Sequence, residues 1–264
     1  KLGTEITSTN GIVQNSKIKK VAYAYILDWD DYNTPAALYY LQSKGIKVAA
    51  AFKPFSINTN KGNKNFNYGS LLIPVSKQKK SSEEVFKIVS EAQDKFDIPV
   101  FGTNSGFSLK GIDLGSNNFR VLEKPKVAML IGEGVNSLEA GEVWHLLDTR
   151  VHMPITKIRM NNYSRANLDK YNTLVMVSGN YSQLDSVQRT KLKTWAAKGN
   201  TLITIAGGSK WMIDKKMVKE SLTKKPKVKS KDKDVDKKET KRLPYVEASE
   251  HYGRERLGGA IFEV

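Results

Sequence analysis

Short apolar runs with no polar interruption recur along this chain, and turns and helix signals separate them. Val21–Leu27 is the first, and seven consecutive apolar residues suit a strand buried on both faces. Strand-like stretches follow at 47–52, 70–75, 99–102, 127–131, 155–158, 173–177 and 201–205. The intervals between them carry helix punctuation. Thr34-Pro35 reads as an N-cap with proline at the first helical position, and Gly45 stops that helix. Ser81-Ser82-Glu83-Glu84 is a capping box. Behind it Val85, Ile88, Val89, Ala92 and Phe96 form one apolar stripe at helical spacing. Helices are also expected over 137–150, burying Ala140, Val143, Trp144 and Leu147, and over 185–198, closed by Gly199.

Strands alternating with helices predict an α/β protein of mainly parallel sheets with flanking helices. The series restarts near Lys126 after a glycine-rich stretch, so two flavodoxin-like units are expected, at 18–120 and 121–264. Residues 1–17 read as a connector from a preceding domain, and the run Ala260–Val264 reads as a strand. The chain starts at Lys1 without a basic-then-apolar leader and is expected to be a segment of a longer protein. With 264 residues it is long enough to bury a core without staples.

The chain has no cysteine, which excludes disulfides, thiolate zinc sites, iron–sulfur clusters and a cysteine nucleophile from its own residues. No apolar run approaches the roughly 18 residues of a membrane span. Formal net charge is +16, but residues 215–242 hold 13 basic and 5 acidic side chains, half the excess in one segment. That segment has too few apolar residues to pack, and a flexible, solvated insertion is expected there. It also defines a second candidate function, a polyanion-binding arm. No aromatic residue interleaves its lysines for base stacking, which weighs against nucleic acid as the partner.

Open parallel sheets place ligands at the C-terminal ends of their strands. Five such ends carry polar or glycine-rich residues. Asp28-Trp29-Asp30 follows the first strand and resembles the start of the haloacid-dehalogenase phosphatases. In that family the first Asp is the nucleophile and the second a general acid/base, with magnesium at the phosphate. A magnesium-dependent phosphatase using Asp28 and Asp30 is therefore one alternative. Tyr32 departs from that family's pattern, no later Gly-Asp-Gly motif follows, and an acidic turn capping the next helix explains the same residues. Gly132-Glu133-Gly134 occupies a second end, where glycines let backbone N–H groups approach an anion although a tight turn explains the same residues, and Ser178-Gly179-Asn180 and Ala206-Gly207-Gly208 occupy two more. Gly102-Thr103-Asn104-Ser105-Gly106 is turn chemistry without a distinct pattern. His145, His152 and His251 stand in no zinc-binding spacing, and no metal site is expected within this chain.

Taken together, several phrases resemble the C-terminal region of secreted bacterial zinc-carboxypeptidase-like proteins. They are Tyr25–Asp30, Gly111–Ser116, Lys126–Val135, Glu139–Asp148 and Gly259–Val264. In that family a carboxypeptidase A-type metallopeptidase domain comes first and a class I glutamine-amidotransferase-like region follows. The resemblance implies that zinc and peptidase chemistry belong to a domain outside this sequence, since no His-x-x-Glu occurs here. It further implies a secreted or periplasmic location, the peptidase domain as intramolecular partner, and residues 121–264 as the amidotransferase-like unit. Amidotransferases carry their nucleophilic Cys in a pattern like Ile-Cys-x-Gly. Here the matching stretch is Ile205-Ala206-Gly207-Gly208, so Ala206 stands where the thiol would be. The expectation is a non-catalytic accessory region that keeps a pocket for a peptide or small molecule near Glu133, Ser178, Gly179, Gly207 and Gly208.

Overall fold

The computed structural model describes residues 16–222. Expectations placed on 1–15 and 223–264, including most of the connector, most of the basic segment and the terminal strand, lie outside the described residues. The chain divides into a unit Lys1–Ser221 and a second, Leu222–Val264. Everything that follows belongs to the first.

The first half is built on a five-stranded sheet. Its strands are β1 (Ala24–Leu27), β2 (Ala49–Ala51), β5 (Leu71–Pro74), β6 (Val100–Thr103) and β8 (Phe119–Val121), in the order β6-β1-β5-β2-β8. Every pairing in it is antiparallel. The expected parallel, flavodoxin-like unit over 18–120 is therefore absent. The reason lies in what an apolar run reports, which is burial on two faces and not the direction of the neighbouring strand. Tyr25 and Leu27 face α1 (Thr34–Ser43) and α2 (Ser82–Phe96), where Ala37, Leu41, Val85, Val89 and Phe96 cover them. Ala24 and Ile26 face the opposite way.

That second face is covered by a small sheet of β3 (Phe55–Thr59), β4 (Gly62–Phe66) and β7 (Lys110–Gly111), in the order β4-β3-β7. Phe55, Ile57 and Phe66 point into the interface, with Phe55 stacked on Phe66 at 5.1 Å. The hairpin and β7 fall in stretches where no strand was expected, although Phe55–Thr59 alternates apolar and polar residues as a half-buried strand should. Gly111 adopts φ +88° and lies so close to Pro54 that an added Cβ would sit 2.4 Å from its carbonyl oxygen.

The helix punctuation is largely borne out. Ser81 Oγ accepts from the Glu84 N–H, and a Glu84 carboxylate oxygen accepts from the Ser81 N–H, which closes the capping box on α2. Helix α1 instead takes Asn33 as its N-cap residue, while the Thr34 hydroxyl donates to the Asp28 carbonyl.

The second half is a four-stranded sheet with every pairing parallel. Its strands are β9 (Val127–Ile131), β10 (Thr156–Arg159), β11 (Thr173–Met176) and β12 (Thr201–Thr204), ordered β10-β9-β11-β12. Helix α3 (Ser137–His145) and the π-helical turn Leu146–Arg150 that extends it lie on one face, against Met129 and Val175. Only Ala140 of α3 is fully buried; Val143 and Leu147 are half-buried and Trp144 is exposed, contrary to the expected four-residue core face. On the other face α4 (Ser186–Ala197), α5 (Gly207–Asp214) and two 3-10 segments bring Tyr163, Leu168, Leu192, Trp195 and Trp211 onto Leu130, Leu174 and Met176. Tyr39 of α1 joins the core on the α3 side, and Arg150 stacks 4.2 Å above Tyr32, so the two halves share contacts within one unit. No helix among the described residues is long and apolar enough to cross a membrane.

Trp195 anchors α4 by donating its indole N–H to the carbonyls of Leu168, at 2.9 Å, and Tyr171, at 3.2 Å. Trp195→Phe leaves those carbonyls, one buried and one partly buried, without that donor. It is expected to destabilise the chain by about 1–3 kcal/mol in urea unfolding, with the m-value unchanged.

Candidate functional site

The C-terminal edge of the parallel sheet gathers the glycine-rich turns that the sequence singled out. The loop after β9 carries Gly132, Glu133 and Gly134, the loop after β11 carries Ser178, Gly179 and Asn180, and the turn after β12 carries Ala206. The first two are stitched together: Val135 and Gly179 form a β-bridge, the Asn180 N–H donates to the Gly134 carbonyl at 2.7 Å, and the Asn136 N–H donates to the Ser178 carbonyl at 2.8 Å. A Cβ on Gly179 would sit 2.9 Å from the Gly134 carbonyl oxygen, so this glycine exists for backbone packing.

Ala206 is the most unusual backbone position of this edge. Its φ of 45° and ψ of −110° lie outside the regions that L-residues adopt, and it turns β12 directly into α5. The glycines that follow make the turn sterically accessible. Gly208, the second residue of α5, lies so close to β11 that a Cβ would fall 2.6 Å from the Met176 carbonyl oxygen. The Gly207 N–H donates to Ser178 Oγ at 3.0 Å, which ties the turn to the loop after β11.

The resemblance implies a ligand pocket near Ser178 and Gly207. In the structure both of their N–H groups are already engaged within the protein. Gly207 is bound as described, and the Ser178 N–H donates to a Glu139 carboxylate oxygen at 2.8 Å. Glu139, in the first turn of α3, thus occupies with its own carboxylate the place where an external anion would meet the β11 loop. The sequence singles out no role for this residue, because its partner Ser178 lies 39 positions away in the chain. Below it Tyr181 is fully buried and donates to the Val177 carbonyl at 2.7 Å. Burial pushes its phenol well above the usual tyrosine value, and the Glu139 charge adds to that.

The open cavity lies beside this cluster, not within it. A space of about 250 Å³ under the β9 loop is lined by Met129, Ile131, Val135, Ala140 and Trp144, with Ser137 and Lys157 as its polar members. The Lys157 ammonium stands 4.3 Å above the Trp144 ring. Of the five expected ligand residues, Ser178, Gly179, Gly207 and Gly208 do not line it, and the exposed Glu133 lies on the adjoining loop. Lys157 and Trp144 come together only because β10 pairs with β9 beneath α3, a juxtaposition that spacing along the chain does not reveal.

The acidic alternative at β1 is placed differently from its expectation. Asp28 is ion-paired to Lys64 at 2.9 Å and is mostly buried, whereas Asp30 is exposed. Asp31 accepts from the Asn33 N–H at 2.8 Å, the turn chemistry of a helix entry. The strand they follow is antiparallel on both sides, not part of the parallel sheet that the phosphatase resemblance requires. Among the described residues no group of three or more His, Cys, Asp or Glu side chains could hold a metal.

Comparison of the chain with protein-family models, with curated proteins and with solved structures found no match.

Two outcomes follow from this geometry. Ala206→Gly removes the left-handed strain and is expected to raise unfolding free energy by about 1 kcal/mol in urea titration. The raised tyrosine value means that the folded state holds the neutral phenol while the unfolded chain ionises near 10. Stability is therefore fully present below pH 10 and declines as pH rises beyond it. Thermal unfolding between pH 8 and 11 is expected to show a shallower alkaline decline in Tyr181→Phe than in the parent chain.

Proposed function

We propose that this chain is a non-catalytic ligand-binding module of amidotransferase-like design, an accessory region of a secreted zinc-carboxypeptidase-like protein whose peptidase domain is a separate part of that protein. The observation that carries the reading is the strained turn at Ala206. A strand-to-helix elbow with positive φ is where hydrolytic folds present a nucleophilic hydroxyl or thiol. Here that position bears a methyl group, which cannot attack a carbonyl. The strand order of the parallel sheet, second-first-third-fourth in chain sequence, supports a flavodoxin-like layout for the second half. The engaged N–H groups of Ser178 and Gly207 support loss of chemistry at the elbow.

Binding then falls to the neighbouring cavity. Its walls are apolar and its polar members are one ammonium and one hydroxyl, which favours a small carboxylate carrying an apolar group. Lys157 neutralises the carboxylate, Ser137 hydrogen-bonds it, and Trp144 covers the apolar part. N-acetyl-leucine and N-acetyl-phenylalanine have this chemistry and serve as probes.

Gly141 lies on the cavity side of α3, and a Cβ there meets nothing within 4 Å. Gly141→Leu therefore fills the cavity while improving helix propensity. Saturable amide shifts are expected in ¹⁵N-resolved spectra of the parent chain with millimolar probe. They should vanish in Gly141→Leu at equal or higher thermal stability. Shifts that persist in this variant, or no shift with either probe, would remove the carboxylate reading.

A further inference from the structure

Asparagine is disfavoured in strands, yet the β3–β4 hairpin is rich in it. Asn63, Asn65 and Asn67 alternate along β4 and just past its end, and Asn58 lies on β3. The register shows why the pattern matters. Phe55 pairs with Phe66 and Ile57 with Lys64 on the side that packs on the large sheet. The opposite side sets Asn58 against Asn63, Asn65 against Ser56, and Ser56 against Lys110 of β7. Carboxamides and a hydroxyl thus tile the open face of this sheet, where Thr or Val would serve the strands better.

Ser56, Asn65, Asn67 and Lys110 line a cleft of about 370 Å³ together with Pro54 and the strand positions of Phe55 and Phe66. The Ser56 hydroxyl donates to the Asn65 carboxamide oxygen. The carboxamides of Asn58, Asn63 and Asn67 make no hydrogen bond among the described residues and keep their full donor and acceptor capacity. Next to the cleft in sequence stand two exposed aromatics, Tyr68 beside Asn67, 66% exposed, and Phe52 shortly before Pro54, 46% exposed with the Arg120 guanidinium stacked 4.5 Å over its ring, which leaves Tyr68 as the open platform. They belong to one end of the large sheet, because β2 ends and β5 begins there.

We infer that this open face is a binding site for a neutral oligosaccharide. A carboxamide offers one acceptor and two donors in a plane, which matches a pair of adjacent sugar hydroxyls. An exposed aromatic ring supplies an apolar surface for the C–H face of a pyranose. Among the described residues Lys110 is the one ammonium lining the cleft, so recognition rests chiefly on hydrogen bonding and stacking. Lys64 faces the other way and is neutralised by Asp28. This site is independent of the carboxylate cavity at β9, and neither depends on the other.

Affinity electrophoresis of the full chain in native gels tests it, with hydroxyethylcellulose, glycol chitin, soluble xylan or soluble starch in the gel and heparin in a control gel. Retardation is expected in at least one neutral gel. The double variant Asn65→Thr/Asn67→Thr keeps strand propensity, and its dissociation constant should rise at least tenfold with an unchanged thermal midpoint. Tyr68→Ala should weaken binding in the same gel. No retardation in any neutral gel would overturn the inference, as would equal retardation of the parent and the double variant. Retardation by heparin alone, abolished by salt, would also overturn it and assign the binding to the chain's lysines.

Discussion

Two-faced burial of short apolar strands is the constraint on which this structure depends. A strand of four or five residues such as β1 or β9 has no polar side, so its sheet must be covered above and below. The first half meets that demand with helices α1 and α2 on one face and a second, smaller sheet on the other. The parallel sheet meets it with α3 on one face, and with α4, α5 and short 3-10 segments on the other. Each covering layer turns its remaining surface outward, and the candidate sites lie on those surfaces and edges.

The elbow at Ala206 shows how a strained position is sustained. Gly208 lets α5 start against the carbonyls of β11, Ser178 ties the turn from one side, and Glu139 holds Ser178 from the other. The strain is therefore distributed over three elements, which fix it together. The same tight packing that preserves the elbow closes it to an external anion. This explains why the nearby cavity, and not the turn itself, has room for a ligand.

The covering sheet of the first half carries a similar lesson. Its inner face, with Phe55, Ile57 and Phe66, is fixed by the need to bury Ala24, Ile26 and Leu72. Its outer face is free of that requirement. The carboxamides of Asn58, Asn63 and Asn65 occupy that outer face, where burial does not dictate the side chain.

Much of the local structure was legible in the sequence. The capping box at Ser81, the terminating glycines at 45 and 199, the buried runs at Val127 and Thr173 and the turn at Ala206-Gly207-Gly208 all follow from side-chain chemistry acting within a few residues. Those features set which segments are strands or helices, and that the chain is α/β. Strand direction in the first half, the hairpin sheet beneath it, the internal pairing of Ser178 with Glu139 and the meeting of Lys157 with Trp144 were decided only by tertiary structure. The physical reason is that hydrophobic burial has no direction. An apolar run specifies that both faces are covered, while which strand lies beside it, and what covers it, depends on contacts between residues far apart in the chain.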